Sequence, residues 1–445
     1  MGNSTKVIPR LLSGFKDRLP QEAMTKLNLL SIVSKVFESF GFVPIETPHL
    51  EYADILSKQG GDDIQKELYK FIDNGGREVG LRFDQTVPLA RFISLHRDKI
   101  DLPFKRYVIG NVFRGEKAQR GRYREFTQCD FDFIGSNAIG CDVEIIQVIY
   151  ASMLALDIKD FTIWINNRKI LSGICKHFNV KNEILVLRLI DKLDKIGVNA
   201  VKDELSKIMD VENAASLLEI VNTKQEVGDD DFMSSIAHLK EWNSELNKGI
   251  KELEELYGIL SSLDIDKSSY RVNLSIARGL NYYTGVVYET ILNNAKELGS
   301  VCSGGRYDDL AKSFLDDNIS GVGASIGIDR LLSVIGDNPK GTTARVLVVP
   351  LDKGFLSYSY KIAEMLRSSG IPIEVYPDCI KLKKQLAYAN NKKHEFVALI
   401  GENEANSNTV TLKNMTTGIQ MNETSLLKSI ELLRSQVEKL LLIEI

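Results

Sequence analysis

Between Arg124 and Gly135 the chain reads Arg-Glu-Phe-Thr-Gln-Cys-Asp-Phe-Asp-Phe-Ile-Gly, with apolar and polar side chains taking turns. Period two places Cys129, Phe131 and Phe133 on one face of a strand and Gln128, Asp130 and Asp132 on the other. The preceding Asn111-Val-Phe-Arg114 can pair with it antiparallel, which leaves Gly115 to Tyr123 as a long loop at the tip of a hairpin. Helical spacing is as clear elsewhere. Pro20 stands at a favoured first position, and Leu27, Leu30, Val33, Phe37 and Phe40 recur on one side until Gly41 stops the helix. Two prolines in Phe42-Val-Pro-Ile-Glu-Thr-Pro48 predict an extended edge element. Strand-like stretches crowd together between Glu78 and Phe133, which predicts an antiparallel sheet in place of alternating βαβ units.

The pattern turns helical from about residue 169 to 264, and between Lys224 and Asp266 eleven acids stand against four bases. Strand patterning returns in Tyr270-Arg-Val-Asn-Leu-Ser-Ile-Ala277 and Val286-Val-Tyr-Glu-Thr-Ile291, so a sheet interrupted by a helical insertion is the economical arrangement. Gly336-Asp-Asn-Pro-Lys-Gly-Thr-Thr343 predicts a linker. Beyond it, strand patterns at Arg345 to Pro350, Ile371 to Tyr376 and Glu395 to Gly401 alternate with helical ones at Ser359 to Ser368 and Lys381 to Asn390. That is a separate small α/β domain. The expected division is an α+β sheet domain in two parts, 1–168 and 265–335, a helical insertion at 169–264, a linker at 336–344 and a C-terminal domain at 345–445.

Composition narrows the class. With 44% hydrophobic and 26% charged residues, the 445-residue chain has the make-up of an ordinary globular protein. Five cysteines are scattered with no C-x-x-C pair, which argues against a disulfide framework and a zinc site. Five histidines form no H-E-x-x-H, so no structural metal is expected. No apolar run approaches the ~18 residues of a membrane span, and no charged-then-apolar leader opens the chain. The initial Met1-Gly-Asn-Ser-Thr-Lys6 has Lys6 where an acylation signal wants Ser or Thr. A soluble, cytoplasmic protein is expected.

The net charge of −4 conceals a local reversal: residues 105–124 carry seven Lys or Arg against one acid, Glu116. Such a concentration needs an anion to meet. Three further segments carry more chemistry than a core requires. Gly80-Leu-Arg-Phe-Asp-Gln-Thr-Val-Pro88 offers Arg82, Asp84 and Thr86 at period two, a carboxylate and hydroxyl suited to an ammonium group. Ala277-Arg-Gly-Leu-Asn-Tyr-Tyr-Thr-Gly285 brackets an arginine, two tyrosines and a threonine with glycines, the make-up of a binding loop. Val301-Cys-Ser-Gly-Gly-Arg-Tyr-Asp-Asp309 and Gly321-Val-Gly-Ala-Ser-Ile-Gly-Ile-Asp-Arg330 are rich in small residues that admit a ligand closely. A helix starting near Asp329 would point Arg330 toward an anion.

Together these segments resemble the histidyl-tRNA synthetase family, class II aminoacyl-tRNA synthetases, over essentially the whole chain. The helix and Pro48 resemble class II motif 1, the hairpin from Asn111 to Gly135 resembles motif 2, and the strand and helix around Arg330 resemble motif 3. Arg278-Gly-Leu-Asn-Tyr-Tyr-Thr-Gly285 is similar to the family's histidine signature, whose usual form has Asp where Asn281 stands. The resemblance implies a class II antiparallel-sheet catalytic domain, a homodimer, an inserted domain that helps grip tRNA(His), and a C-terminal anticodon-binding domain. It implies L-histidine and ATP with Mg2+ as reactants. It further implies Arg114 on the α-phosphate of ATP, Glu116 near the adenine, Arg122 near the outer phosphates, Arg330 on the γ-phosphate, and Arg278 between the histidine carboxylate and the α-phosphate. Arg278, Arg114 and Gln128 become the catalytic group by this resemblance. Asp84, Thr86 and Gln128 would hold the substrate ammonium, and Asp132 and Tyr283 would read the imidazole, with Tyr282 and Tyr307 in the same pocket.

The physical logic agrees. Attack of a carboxylate on an α-phosphate brings negative groups together, so fixed positive charge is what such a site chiefly needs. A pocket that buries partners for both ring nitrogens of histidine can reject other side chains without an editing domain. Lys381, Lys383, Lys384, Lys392 and Lys393, with no acid between them, offer the C-terminal domain a phosphate-binding stripe, and equally an ordinary solvated helix face. Two rival patterns are weaker. Gly323-Ala-Ser325-Ile-Gly327 matches a hydrolase elbow, with Asp378 and His394 following in order, but it leaves the basic hairpin unexplained. Gly321-Val-Gly323 begins like a dinucleotide fingerprint, but its next glycine, Gly327, falls one position late. The more serious alternative is the non-catalytic, synthetase-like regulatory subunit of ATP phosphoribosyltransferase.

Overall fold

The computed structural model describes residues 7–57, 66–117, 121–229, 231–277, 282–309, 312, 314, 319–336, 338, 340–425 and 427–433. The chain divides into two compact units, one built around Lys26–Ile335 and the other around Gly336–Ile445.

The larger unit contains the strands β1 (Val43–Pro44), β2 (Leu50–Tyr52), β3 (Lys70–Ile72), β4 (Glu78–Leu81), β5 (Phe104–Phe113), β6 (Glu125–Ile134), β7 (Phe161–Asn167), β8 (Tyr270–Val272), β9 (Val286–Leu292), β10 (Ser300–Tyr307) and β11 (Gly321–Gly327). Eight of them form one sheet in the order β1-β5-β6-β11-β10-β9-β7-β8. Its centre is antiparallel, and only the short outer strands β1 and β8 pair parallel to their neighbours. In the hairpin, Asn111 stands opposite Thr127 and Phe113 opposite Glu125, the pairing the alternation predicts, although β5 extends back to Phe104. β2, β4 and β3 form a separate three-stranded sheet.

One face of the large sheet is the core. Cys129 and Phe131 of β6 and Val322 and Ile326 of β11 are buried under Val33 and Phe37 of the helix Pro20–Ser39 and Ile145, Ile146 and Ile149 of the helix Ile139–Ala155. The first helix departs from the predicted stripe at one position. Leu27 is 67% exposed, and the buried line runs through Leu29, Val33 and Phe37. The helices from Arg168–His177 to Ser244–Ser261 extend this core without a break, since Ile170, Leu246 and Ile250 join Ile163 and Ile165 of β7 in the same cluster.

A second departure is the segment from Gly80 to Pro88. The expectation of one continuous strand fails, because β4 ends at Leu81 and a helix, Thr86–Leu95, begins five residues later. The Asp84 carboxylate accepts from the backbone N–H groups of Thr86 and Val87 at 3.1 and 3.0 Å, which supplies the start signal in place of another residue of strand.

The smaller unit carries β12 (Val346–Pro350), β13 (Ile373–Val375), β14 (Phe396–Ile400), β15 (Thr409–Asn414) and β16 (Gln420–Ser425) in the order β13-β12-β14-β15-β16. β12 runs parallel to β13 and β14, while β15 and β16 add an antiparallel hairpin. Both faces of this sheet are apolar: Val346 and Val348 enter one cluster, Leu347 and Val349 another.

Candidate active site

The other face of the large sheet is where the polar row of β6 lies, and over it opens a cavity of about 300 Å³. Asp84, Thr86, Arg114, Glu116, Arg122, Gln128, Asp132, Tyr282, Tyr283, Tyr307 and Arg330 all line it. Of the residues singled out from sequence, Arg278 lies outside the described residues.

The basic end is built from three places in the chain. Arg114 leaves the end of β5 with its Nε donating to the carbonyl of Phe83 at 3.1 Å. Its guanidinium rests over the rings of Phe83 and Phe126, at 4.5 and 5.1 Å from their centroids. Such a clamp fixes the fork of donors while leaving it positive. Arg122 returns from the hairpin loop and faces Glu116 at 3.8 Å. Arg330 projects from the first turn of the helix Ile328–Ile335 and donates to the carbonyl of Ser300. That helix is anchored to β6 by Asp329, whose carboxylate accepts from the Thr127 N–H at 2.7 Å.

The acidic end is the strand face of Gln128, Asp130 and Asp132. Gln128 donates through Nε2 to the hydroxyl of Ser325 at 3.0 Å, and its Oε1 is buried without a protein partner. Asp132 is 4% exposed and fully engaged: Tyr307 donates its hydroxyl to one oxygen, and the guanidinium of Arg106 stands 2.5 Å from the other. Burial pushes its carboxyl up, and Arg106 opposes the shift. Asp130 is 5% exposed, and its Oδ1 has no hydrogen-bond partner. Burial pushes its carboxyl up to about 7, against the pull of Arg106. Tyr282 donates to the hydroxyl of Tyr283 at 3.2 Å, and burial drives the Tyr283 and Tyr307 phenols well above their ordinary range, so both hold their protons.

Glycines make the floor. Gly323 stands opposite Asp132 across β11 and β6, and a Cβ there would fall 2.1 Å from the Asp132 Oδ1 and 2.7 Å from the Phe131 carbonyl. At Gly304 a Cβ would meet the Gly323 carbonyl at 2.1 Å.

Several expectations change in this light. Arg82, grouped with Asp84 and Thr86, is 2% exposed and donates to the carbonyls of Asn111 and Thr47 at 2.7 and 2.9 Å, so it braces the hairpin and does not line the cavity. The basic run also divides. Arg106 is fully buried on Asp132, and Lys105 pairs with Glu144, whereas Arg114 and Arg122 reach the cavity. Ser325 sits inside β11 between Ser303 and Asp130, not on a strand-to-helix turn, which removes the hydrolase reading. Asp130, Ser303, Phe83 and Phe126 were not picked out as site residues from sequence. Asp130 and Phe126 share the face of Gln128 in the period-two row, whereas Phe83 carries no such signal.

A broad antiparallel sheet, with an arginine-bearing hairpin and a strand-helix arginine meeting over its polar face, defines a class II aminoacyl-tRNA synthetase. A family model described as Histidyl-tRNA synthetase matches residues 14–331, and one described as Anticodon binding domain matches residues 345–436. The chain belongs to the histidyl-tRNA synthetase family. It is 58% identical over 439 residues to a protein of Helicobacter hepaticus named histidine--tRNA ligase, covering 97% of this chain and 99% of that one. A protein of the same name from Wolinella succinogenes is 59% identical over 427 residues, 94% of this chain and 97% of its own. Among solved structures, the histidyl-tRNA synthetase from Nostoc sp. PCC 7120 superposes with a TM-score of 0.87 at 34% identity, covering 97% of this chain and all of that one. An ATP phosphoribosyltransferase regulatory subunit/histidyl-tRNA synthetase from Bacillus halodurans shares the fold, with a TM-score of 0.73 at 22% identity over 87% of this chain and 97% of that one.

Proposed function

We propose that this chain ligates L-histidine to tRNA(His) in two steps. In the first, a carboxylate oxygen of histidine attacks the α-phosphate of ATP, the bond to the β-phosphate breaks, and histidyl-adenylate and pyrophosphate result. In the second, a hydroxyl at the 3′ end of the tRNA attacks the acyl carbon and AMP leaves. The observation that carries this reading is the cavity lined at once by Arg114, Arg122 and Arg330 and by the acceptors Asp84, Thr86, Gln128 and Asp132. A triphosphate suits the first set, and an amino acid with a basic side chain suits the second.

In this reading Arg114 binds the α-phosphate, clamped by its two phenyl rings so that its charge is in place before the transition state forms. Arg122 takes the outer phosphates, Glu116 the adenine, Arg330 the γ-phosphate, and Arg278 bridges the carboxylate and α-phosphate. Asp84, Thr86 and Gln128 hold the ammonium, and Asp132, Tyr282, Tyr283 and Tyr307 shape the imidazole pocket. Mg2+ enters as part of the ATP substrate, held chiefly by phosphates and water. The helical tract 169–264 grips the tRNA, the domain 345–445 reads its anticodon, the protein works as a homodimer, and its place is the cytoplasm, where charged tRNA is consumed. Among the described residues no helix is long and apolar enough to cross a membrane.

The ligase reading is favoured over the regulatory-subunit one by the matched anticodon-binding domain and by relatives at 58% and 59% identity named as ligases. The deciding measurement is ATP–pyrophosphate exchange with each amino acid in turn. Histidine alone should stimulate it; no exchange from folded protein would overturn the assignment.

A further inference from the structure

The segment 277–285, which carries Arg278, Tyr282 and Tyr283, is anchored at both ends where β7 gives way to the helical insertion. Ahead of it, Asn166 donates through Nδ2 to the carbonyls of Leu274 and Ile276 at 3.0 and 2.9 Å. At its far end, the Arg168 N–H donates to the Gly285 carbonyl at 2.8 Å. Asn166 is fully buried and accepts from the Asn167 N–H at 2.8 Å, so both of its donors and its side-chain oxygen are engaged. The near end is held by a second jaw, which the insertion supplies. Leu274 donates its N–H to the Thr223 carbonyl at 3.1 Å, and Gln225 accepts from the Val272 N–H through Oε1 at 3.1 Å while donating its own N–H to the Val272 carbonyl at 2.8 Å. β8 ends at Val272, so at Leu274 and Ile276 a side chain does the work that a neighbouring strand does earlier.

We infer that Asn166 is a positioning residue for the histidine side of the site: by holding the carbonyls of Leu274 and Ile276 it sets where the segment 277–285 departs from the sheet. This rests on the proposed function and deepens it. Tyr282 and Tyr283 of that segment line the cavity, whereas Arg114, Arg122 and Arg330 come to it from the hairpin and from the helix Ile328–Ile335. A displaced segment therefore disturbs histidine binding and the bridge assigned to Arg278, and leaves the other phosphate contacts in place. A misplacement of about 1 Å is enough to cost about 10²-fold in rate. A buried amide bonded to two carbonyls also stabilises the fold, and the two roles have to be separated. Asn243 is the matched case. It accepts from the Leu246 N–H at 3.0 Å and donates to the Gly173 carbonyl at 2.9 Å, but its bonds join the helix Ser244–Ser261 to the helix Arg168–His177.

The test sets Asn166→Ala beside Asn243→Ala, both in the full chain. In pyrophosphate exchange measured per folded molecule, Asn166→Ala should lose about 10- to 100-fold in kcat/KM for histidine while KM for ATP changes by less than about threefold, and Asn243→Ala should stay within about twofold of native in both. Native kinetics in Asn166→Ala, an equal rise in the two KM values, or the same loss in Asn243→Ala would reduce Asn166 to a structural amide and overturn the inference. Should Asn166→Ala not fold, hydrogen–deuterium exchange of the native chain decides. Added histidine should slow it over residues 272–277 more than over the helix Ser244–Ser261; equal slowing, or none, overturns the inference. Absence of pyrophosphate exchange from the native chain would strike the proposed function instead.

Discussion

The two large sheets solve opposite problems. In the C-terminal unit, Val346 and Val348 bury on one face of β12 and Leu347 and Val349 on the other, so every residue of that strand serves packing. In the larger unit, β6 gives Cys129 and Phe131 to the core and holds Gln128, Asp130 and Asp132 over the cavity. The first sheet stabilises on both faces. The second gives up half of that stabilisation and buries carboxylates, leaving one oxygen of Asp130 without a hydrogen-bond partner, to line the floor of a cavity. Where the strands of a sheet spend their polar side chains thus separates scaffold from site.

Substitutions should divide along the same line. Arg114→Ala should lower histidine-dependent pyrophosphate exchange by about 10²- to 10³-fold with the fold intact, as loss of one preorganised donor does; exchange within twofold of native would remove its proposed role. In the other sheet, Leu412→Ala empties a fully buried position and should cost about 3 kcal/mol in denaturant unfolding, with exchange per folded molecule unchanged.

Asp130→Asn should do the reverse and stabilise. Burial raises the folded carboxyl to about 7, above its unfolded value of about 3.9, so the folded state prefers the proton. The resulting penalty is absent below the unfolded value, grows as pH rises toward 7, and is constant beyond. The variant should therefore gain about 4 kcal/mol at pH 8 and between about 1 and 2 kcal/mol near pH 5. Equal melting shifts at both pH values would contradict a raised carboxyl. The smallest effect belongs to the exposed lysines of the helix Leu382–Lys392. Replacing Lys383 and Lys384 by Ala should raise KM for tRNA by about three- to tenfold at low salt, less at high salt, without touching exchange.

Much of this arrangement was legible in the sequence. Alternation gave the hairpin, its pairing and its polar face, because one buried side forces period two. The strands and helices of the C-terminal unit were equally plain up to Gly401, but the hairpin of β15 and β16 was not, since Thr409–Asn414 mixes polar and apolar residues and buries a run of three, Val410, Thr411 and Leu412, in place of an alternation. Leu27 misled because an apolar residue at helical spacing carries no label for burial. Arg106 misled because charge counting cannot tell a guanidinium facing a ligand from one buried on a carboxylate. The helix beginning at Thr86 was hidden by Asp84, whose side chain does local backbone work as well as lining the cavity. Phe83 and Phe126 became site residues only when distant segments met around Arg114.

Gly323 has a bearing on how this pocket can evolve. A methyl group at that position would collide with a carboxylate oxygen and a main-chain carbonyl at once, so no rotamer change relieves it. The shape of the cavity floor is in this sense written into the spacing of two strands. A floor of another shape cannot be reached by adding bulk at Gly323 alone; a strand would have to move.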